Sequence, residues 1–129
     1  MSEKLSQSNV EIVSQMRQAY VEQNQELFQS FFTDDVLYKP GAIANSKGPQ
    51  ALWQYLQELY SPVIIDKMNS RAIWEVEDAV IYDYDMQITY KSDNKTVGFP
   101  CVDIFQFRGD KISEWRVYPL HPSFIAIKL

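Results

Sequence analysis

Several residue types are scarce in this 129-residue chain, and each scarcity excludes a class of protein. Its single cysteine, Cys101, cannot form an internal disulfide and fits a reducing compartment. With four glycines in total, the chain contains no glycine-rich fingerprint of a nucleotide-binding loop. No apolar run approaches the ~20 residues of a membrane-spanning helix, and the first residues show no signal-peptide core. We therefore expect a cytoplasmic protein without a membrane partner.

Basic residues are also few, and they do not cluster. Twelve Lys and Arg stand against seventeen Asp and Glu, giving a formal net charge of −5. Nucleic-acid binding requires basic side chains that neutralise phosphates, so we expect no nucleic-acid partner. One histidine, one cysteine and scattered acids show no metal-ligand spacing, and no nucleophilic triad is visible. The sequence thus predicts neither a metal site nor a cofactor.

Aromatic residues, in contrast, are abundant. The chain has 8 Tyr, 7 Phe and 3 Trp, which is 14% of its residues, within a hydrophobic fraction of 46%. Its length predicts one domain over residues 1–129, large enough to bury its own core. The aromatic excess leaves three interpretations open: an aromatic-lined cavity, an apolar subunit interface, or a core that is rich in rings.

The first half of the chain is predicted to form about three helices. Ser8 and Glu11 have the spacing of a capping box, which starts a helix over residues 9–23. Asn24 can cap a shorter second helix, and Pro49 suits the first turn of a third helix over residues 49–60. The second helix is expected to direct four apolar side chains toward the core: Leu27, Phe28, Phe31 and Phe32.

The second half changes to a period of two, which is typical of strands. Strands are predicted over residues 65–76, 79–90, 95–107 and 111–118, preceded by a short strand over residues 36–39. Gly98 and Pro100 suggest a bend or bulge in the third of the long strands. Helices followed by antiparallel strands predict an α+β fold, in which a curved antiparallel sheet wraps around the helices and leaves a pocket at one end.

The strand over residues 79–90 alternates cleanly between two faces. One face carries Tyr82, Tyr84, Met86 and Ile88, and the other carries Asp83 and Asp85. Together with Phe105, Trp115 and the hydroxyl of Tyr55, the first face is the best lining for an apolar cavity, although the same pattern suits a filled core. The two acids could form a paired-carboxylate site, but a solvated or subunit-facing surface explains them as well.

Asp103 is the residue that fits a structural interpretation least. Its neighbours on the same strand face, Cys101, Phe105 and Phe107, are all apolar. A carboxylate in such surroundings costs several kcal/mol unless it finds partners or takes up a proton. Asp103 is therefore either a carboxyl of raised pKa that donates or relays a proton in a pocket, or a structural acid bonded to a nearby donor.

Three other side chains have weaker cases. His121 is the only histidine and could act as a general base, but its proline-flanked position suits an exposed side chain. Lys39 could be a catalytic amine if buried, although surface lysines are far commoner. Cys101 is expected to be a buried, inert thiol.

Several short motifs stand in a recognisable order: FTDDV at residues 32–36, Gly48 before the third helix, VDIF at 102–105, GDKI at 109–112 and the Trp115-Arg116 pair. This set resembles the NTF2-like superfamily, particularly its SnoaL-like and ketosteroid-isomerase-like members, over nearly the whole chain. The resemblance implies a cystatin-like cone, a homodimer and a small apolar molecule as ligand. That fold carries isomerases, dehydratases, cyclases and epoxide hydrolases, as well as modules that only bind or dimerise.

The resemblance also assigns roles to individual positions. Asp103 matches the carboxyl group that donates a hydrogen bond to the developing oxyanion in ketosteroid isomerases. Met16 falls near the isomerases' oxyanion tyrosine, Lys39 near their aspartate base, and Val117 near an aspartate of limonene-epoxide-hydrolase-like members. We therefore predict Asp103 as the catalytic residue of an isomerase- or lyase-type reaction. The predicted substrate-binding residues are Met16, Tyr55, Tyr82, Tyr84, Met86, Phe105 and Trp115. The alternative is a ligand-binding or dimerisation module without catalysis.

Overall fold

The α+β prediction is confirmed by the computed structural model, which describes residues 8–40 and 46–119. In the described parts the helices are α1 (Asn9–Val21), α2 (Gln25–Gln29) and α3 (Pro49–Tyr60). The strands are β1 (Phe32–Lys39), β2 (Ser46–Lys47), β3 (Val63–Val76), β4 (Ala79–Tyr90), β5 (Thr96–Arg108) and β6 (Lys111–Pro119).

Local sequence signals start the first two helices as predicted. Ser8 accepts a hydrogen bond from the Glu11 backbone N–H, while its own N–H donates to the Glu11 carboxylate at 3.1 Å. The side chain of Asn24 accepts from the N–H of Leu27 and caps α2. The prediction that Leu27 faces the core is wrong: its side chain is 43% exposed, whereas Phe28 is fully buried. Successive side chains of an α-helix point about 100° apart, so the adjacent Leu27 and Phe28 do not face the core together.

The six strands form one curved sheet in the order β2-β1-β6-β5-β4-β3. Most neighbours are antiparallel, as predicted, but β1 runs parallel to β6. β1 also begins at Phe32, earlier than the predicted residue 36. The sheet is therefore mixed. The chain passes through α3 and the three long strands β3, β4 and β5 before β6 places itself beside β1.

Of the predicted bend or bulge near Gly98 and Pro100, the bulge is not found between β4 and β5: the two strands pair without a shift from Ala79↔Gln106 to Thr89↔Thr96. The described pairing between β5 and β6 reaches Cys101, and Pro100 immediately precedes that residue in the chain. Among the described residues, only β4 pairs with the strand at Pro100, and a proline is tolerated at a strand edge. The register shifts of the described residues lie instead in β1, in β3 and after Gln106 in β5.

The core lies between the helices and the concave face of the sheet. On β4 this face carries the predicted row of Tyr82, Tyr84, Met86 and Ile88, all buried. Across the other face, Arg71 of β3 pairs with Asp83 at 2.6 Å and also with Asp85. Within the described ranges, no helix combines the length and the apolar character needed to cross a membrane.

Candidate functional site

A cavity of about 910 Å³ lies between α1, the end of α3 and the concave face of the sheet. Its volume is within the range of small-molecule sites. The inner end is formed by buried side chains, namely Met16, Tyr38, Leu56, Tyr84, Asp103 and Trp115. The rim includes the exposed residues Gln18, Val21, Asp66 and Lys67, so the cavity communicates with solvent.

Asp103 lies at the inner end of this cavity and is 1% exposed, the one buried charged residue of the described chain. The hydroxyl of Tyr84 lies 3.2 Å from both carboxyl oxygens, and the indole Nε1 of Trp115 donates to Oδ2 at 3.2 Å. The carboxyl group is therefore held in a fixed orientation by two donors. Both come from neighbouring strands, β4 and β6.

Burial raises the pKa of Asp103 to about 7, because the apolar surroundings disfavour the charged form. Three favourable interactions oppose that shift: the charge of Arg17 and the hydrogen bonds from Trp115 and Tyr84. The carboxyl group therefore titrates near neutral pH rather than in the usual acidic range of an aspartate. A group with this property can both give and take a proton under ordinary conditions.

Tyrosine hydroxyls surround the carboxyl group and remain neutral. Desolvation by burial is the first cause that raises the pKa of Tyr38, Tyr60 and Tyr84, and the nearby Asp103 adds to it. All three line the cavity. They are therefore neutral groups that can both donate and accept hydrogen bonds beside a ligand.

Arg17 of α1 brings a positive charge into the same cavity. Its guanidinium carbon lies 4.4 Å from the centre of the Tyr82 ring and 5.2 Å from that of Tyr84. The two rings are themselves stacked, with centroids 4.6 Å apart. Arg17 therefore rests on an aromatic platform that lies next to Asp103.

The structure brings most of the predicted site residues together. Asp103, Met16, Tyr82, Tyr84 and Trp115 all line the cavity. Whether they bind a ligand stays a prediction.

Tyr55, Met86 and Phe105 are not among its lining residues in the described chain. The Tyr55 ring packs 5.3 Å from Tyr38, and the Phe105 ring packs 5.0 Å from Trp115. Met86 is buried opposite Phe99. Tyr55 and Phe105 therefore pack behind lining residues of the cavity, and the prediction that these three side chains form its surface is not confirmed.

The weaker candidates have ordinary explanations. Arg71 neutralises Asp83 and Asp85 on the outer face, and Lys39 pairs with Glu114 at 3.5 Å. Cys101 is buried, and burial raises the pKa of its thiol to about 11. In the described chain, no group of His, Cys, Asp and Glu is suited to hold a metal ion.

His121 and Val117 are the remaining positions considered from the sequence. His121 lies outside the described residues. Val117 lines the cavity opposite Asp103 on β6, and it supplies a wall there rather than a carboxylate.

The sequence patterns did not indicate Arg17, Tyr38 and Tyr60 as site residues, and the tertiary structure brings all three to the cavity. One signal could have identified Arg17: it lies four residues after Val13 and three before Tyr20, within the apolar stripe of α1. A charged side chain at such a position indicates a cavity or a buried partner. Tyr38 and Tyr60 had no comparable signal, because each fits an ordinary amphipathic pattern.

Comparison with known proteins identifies a family. A sequence model described as the SnoaL-like domain matches residues 13–115. The comparison with curated proteins gave no match.

Solved structures share the fold. An NTF2-like protein from Burkholderia xenovorans superposes with a TM-score of 0.76 at 22% identity, covering 86% of this chain and 88% of that one. A protein with a ketosteroid isomerase-like fold from Catenulispora acidiphila, in complex with trimethylamine, gives 0.72 at 17% identity and 84% coverage of both chains. An LEH-like epoxide hydrolase from M. tuberculosis gives 0.70 at 16% identity, covering 86% and 81%. At these identities the likeness extends to the fold alone.

Proposed function

The chain belongs to the SnoaL-like domain family, and from this premise we propose that it binds a small, mainly apolar, oxygen-bearing molecule and catalyses an acid/base reaction on it. The reaction class is isomerisation, dehydration or cyclisation, and it requires no cofactor. One observation carries the proposal: a carboxyl group with a pKa of about 7 lies at the buried end of a cavity of about 910 Å³. Perturbed acids in cavities of this size are typical of catalytic sites.

The chemistry follows from the partners of Asp103. In its protonated form, the carboxyl group donates a hydrogen bond or a proton to a carbonyl or hydroxyl oxygen of the ligand. Once ionised, it is stabilised by the donors Tyr84 and Trp115, each at 3.2 Å, so that proton loss is not prohibitively costly. The tyrosine hydroxyls of the cavity then orient the ligand. The aromatic side chains at the inner end of the cavity favour a ring-containing molecule.

A second candidate function is ligand binding without catalysis. Two positions favour it: Met16 has no proton to donate where the isomerases carry a tyrosine, and the amine of Lys39 is engaged by Glu114. In this case Asp103 fixes the orientation of a retained metabolite. Native mass spectrometry of the purified protein separates the two functions when it is combined with activity assays.

We further propose that the protein is a cytoplasmic homodimer that pairs through the outer face of its sheet. Trp74, Ile81 and Ile104 are consecutive partners across β3, β4 and β5 on that face. Trp74 is 50% exposed and Tyr118 47% exposed, so the face presents large apolar side chains to solvent. Contiguous exposed apolar surface of this kind is typical of protein interfaces.

The test of the proposed function is substitution of Asp103 by Asn and by Ala, with turnover measured on a panel of cyclic ketones, hydroxyketones and epoxides. We expect Asp103→Asn to lower kcat by at least about 100-fold, the usual contribution of a positioned acid. Asp110→Asn, in the exposed turn after β5, is the matched control. Wild-type rates in Asp103→Asn would reject the catalytic role. A ligand retained by wild type and lost from Asp103→Asn, without turnover of any panel member, would favour the binding function.

A further inference from the structure

The hydrogen-bonding capacity of Arg17 is largely unused by the described protein. A guanidinium group has five N–H donors. The hydrogen bond that the structure gives it runs from Nη2 to the Sδ atom of Met68 at 2.9 Å, and a thioether is a weak acceptor. In the described chain Arg17 forms no ion pair with a carboxylate, although it lines the same cavity as Asp103.

Stacking explains how the guanidinium is held without being saturated. The guanidinium carbon lies over the Tyr82 ring, 4.4 Å from its centre, and 5.2 Å from the centre of the Tyr84 ring. A guanidinium that stacks through its face keeps its N–H groups at the edge, in the plane that matches a carboxylate. The two ring contacts and the hydrogen bond to Met68 therefore restrict where the guanidinium lies, which reduces the entropy lost when a ligand binds.

The net charge of the cavity depends on the protonation state of Asp103. Its charged lining residues are Arg17 and Lys67 on the positive side, and Asp66 and Asp103 on the negative side. Asp66 already accepts a hydrogen bond from the Thr89 hydroxyl at 2.5 Å, and burial favours the neutral form of Asp103. When Asp103 is protonated, the cavity therefore has one positive charge in excess.

We propose that the ligand of this cavity is an anion: an apolar ring system bearing a carboxylate or a similarly delocalised oxyanion, which Arg17 binds. This inference rests on the proposed function, because it names the chemical class of the molecule that occupies the same cavity. The anionic group accepts hydrogen bonds from the edge of the guanidinium, and the rings lie against the aromatic walls. The protonated Asp103 is then free to donate to a second oxygen of the ligand.

Two fluorescent probes with the same skeleton test this proposal. N-phenyl-1-naphthylamine is neutral, and 1-anilinonaphthalene-8-sulfonate adds one delocalised anionic group. Both brighten in apolar surroundings, so their Kd values can be measured by titration into the full-length protein. The readout is the ratio of the two Kd values. A variant that only loses apolar packing weakens the binding of both probes alike and leaves this ratio unchanged.

The variants are Arg17→Gln, which removes the charge and keeps a polar side chain, and Arg17→Lys, which keeps a charge without the planar fork. Arg116→Gln is the control, because Arg116 pairs with Glu114 and lies outside the lining of the cavity. We expect Arg17→Gln to shift the ratio against the anionic probe by about 10-fold or more, as for a charge-assisted hydrogen bond. Arg17→Lys should give a smaller shift, and Arg116→Gln should leave the ratio within about twofold of wild type.

The outcomes separate this inference from the function on which it rests. If wild type binds both probes and Arg17→Gln leaves the ratio unchanged, the anionic ligand is rejected while the apolar cavity is retained. An equal shift in Arg116→Gln would reject it as well, since the sulfonate would then be bound outside the cavity. If wild type binds neither probe, both this inference and the proposed binding of an apolar molecule are overturned.

Discussion

Tyr84 reaches Asp103 diagonally across the β4–β5 pair. Directly opposite Asp103 on β4 is Tyr82, and directly opposite Tyr84 on β5 is Cys101. Trp115 makes the equivalent diagonal contact from β6, where Val117 is the residue opposite Asp103. Diagonal neighbours on one sheet face are within reach of long aromatic side chains. Tyr84 and Trp115 thereby form a clamp on the carboxyl group from the two neighbouring strands, while Asp103 still lines the cavity.

This clamp predicts that Tyr84→Phe raises the pKa of Asp103 from its value of about 7. The substitution removes a donor that favours the charged carboxylate, and a hydrogen bond to a charged group corresponds to about one pKa unit or more. The measurement is a pH titration of the carboxyl carbon by NMR in protein labelled with ¹³C-aspartate, with the signal assigned by its loss in Asp103→Asn. Tyr82→Phe is the matched control, because the Tyr82 ring stacks on Tyr84 and its side chain makes no described hydrogen bond to Asp103. Equal titrations in wild type and Tyr84→Phe would contradict the clamp.

The raised pKa of Asp103 also predicts how stability depends on pH. The folded value of about 7 lies above the reference value of 3.8, so the folded state binds the proton more tightly than the unfolded chain does. The resulting stabilisation is complete below about pH 4 and is lost as pH rises to about 7. Its upper limit is roughly 4 kcal/mol, from about 1.4 kcal/mol per pKa unit.

Urea unfolding at pH 5, 6, 7 and 8 measures this dependence. Wild type should lose stability between pH 5 and pH 7 relative to Asp103→Asn, which cannot ionise. Asp110→Asn, in the exposed turn, should keep the wild-type slope. Parallel profiles for wild type and Asp103→Asn would show that Asp103 has an ordinary pKa in the folded state.

The orientation of α2 predicts very different costs at two adjacent positions. Phe28 is fully buried, with its ring 5.0 Å from Phe32 and 5.3 Å from Trp53. Phe28→Ala should lower the free energy of unfolding by about 3–5 kcal/mol. Leu27→Ala should cost less than about 1 kcal/mol, since that side chain is 43% exposed. Comparable losses in denaturant unfolding would mean that α2 is rotated relative to the structure.

The proposed dimer predicts that a charge at Trp74 dissociates the protein. Trp74→Glu places a carboxylate on the apolar part of the outer face, and burying it against a second subunit would be costly. Sedimentation equilibrium at micromolar concentration should show a dimer for wild type and a monomer for the variant. Ser92→Glu, in the exposed turn after β4, adds the same charge and should remain dimeric. A monomeric wild type would reject the interface outright.

Features encoded by short-range patterns could be predicted well. The bounds of β4, the capping box at Ser8 and the start of α3 at Pro49 all agree with the structure, because periodicity and capping act over a few residues. The position of Asp103 among apolar neighbours was also visible, since side chains alternate along a strand. The exposure of Leu27 was not predicted, because in so short a helix packing rather than periodicity decides which side chain is buried.

The sequence by itself determined the α+β fold, its family and the presence of an acid in an apolar strand. Hydrophobic periodicity, helix caps and turn residues depend on residues that are close together in the chain. Only the tertiary structure decided which groups accompany that acid. The guanidinium of Arg17 reaches Met68, 51 residues away, through the packing of α1 across the sheet. The parallel pairing of β1 with β6 likewise depends on the closing of the whole sheet. Such contacts arise when curved surfaces meet, and no local pattern of residues specifies them.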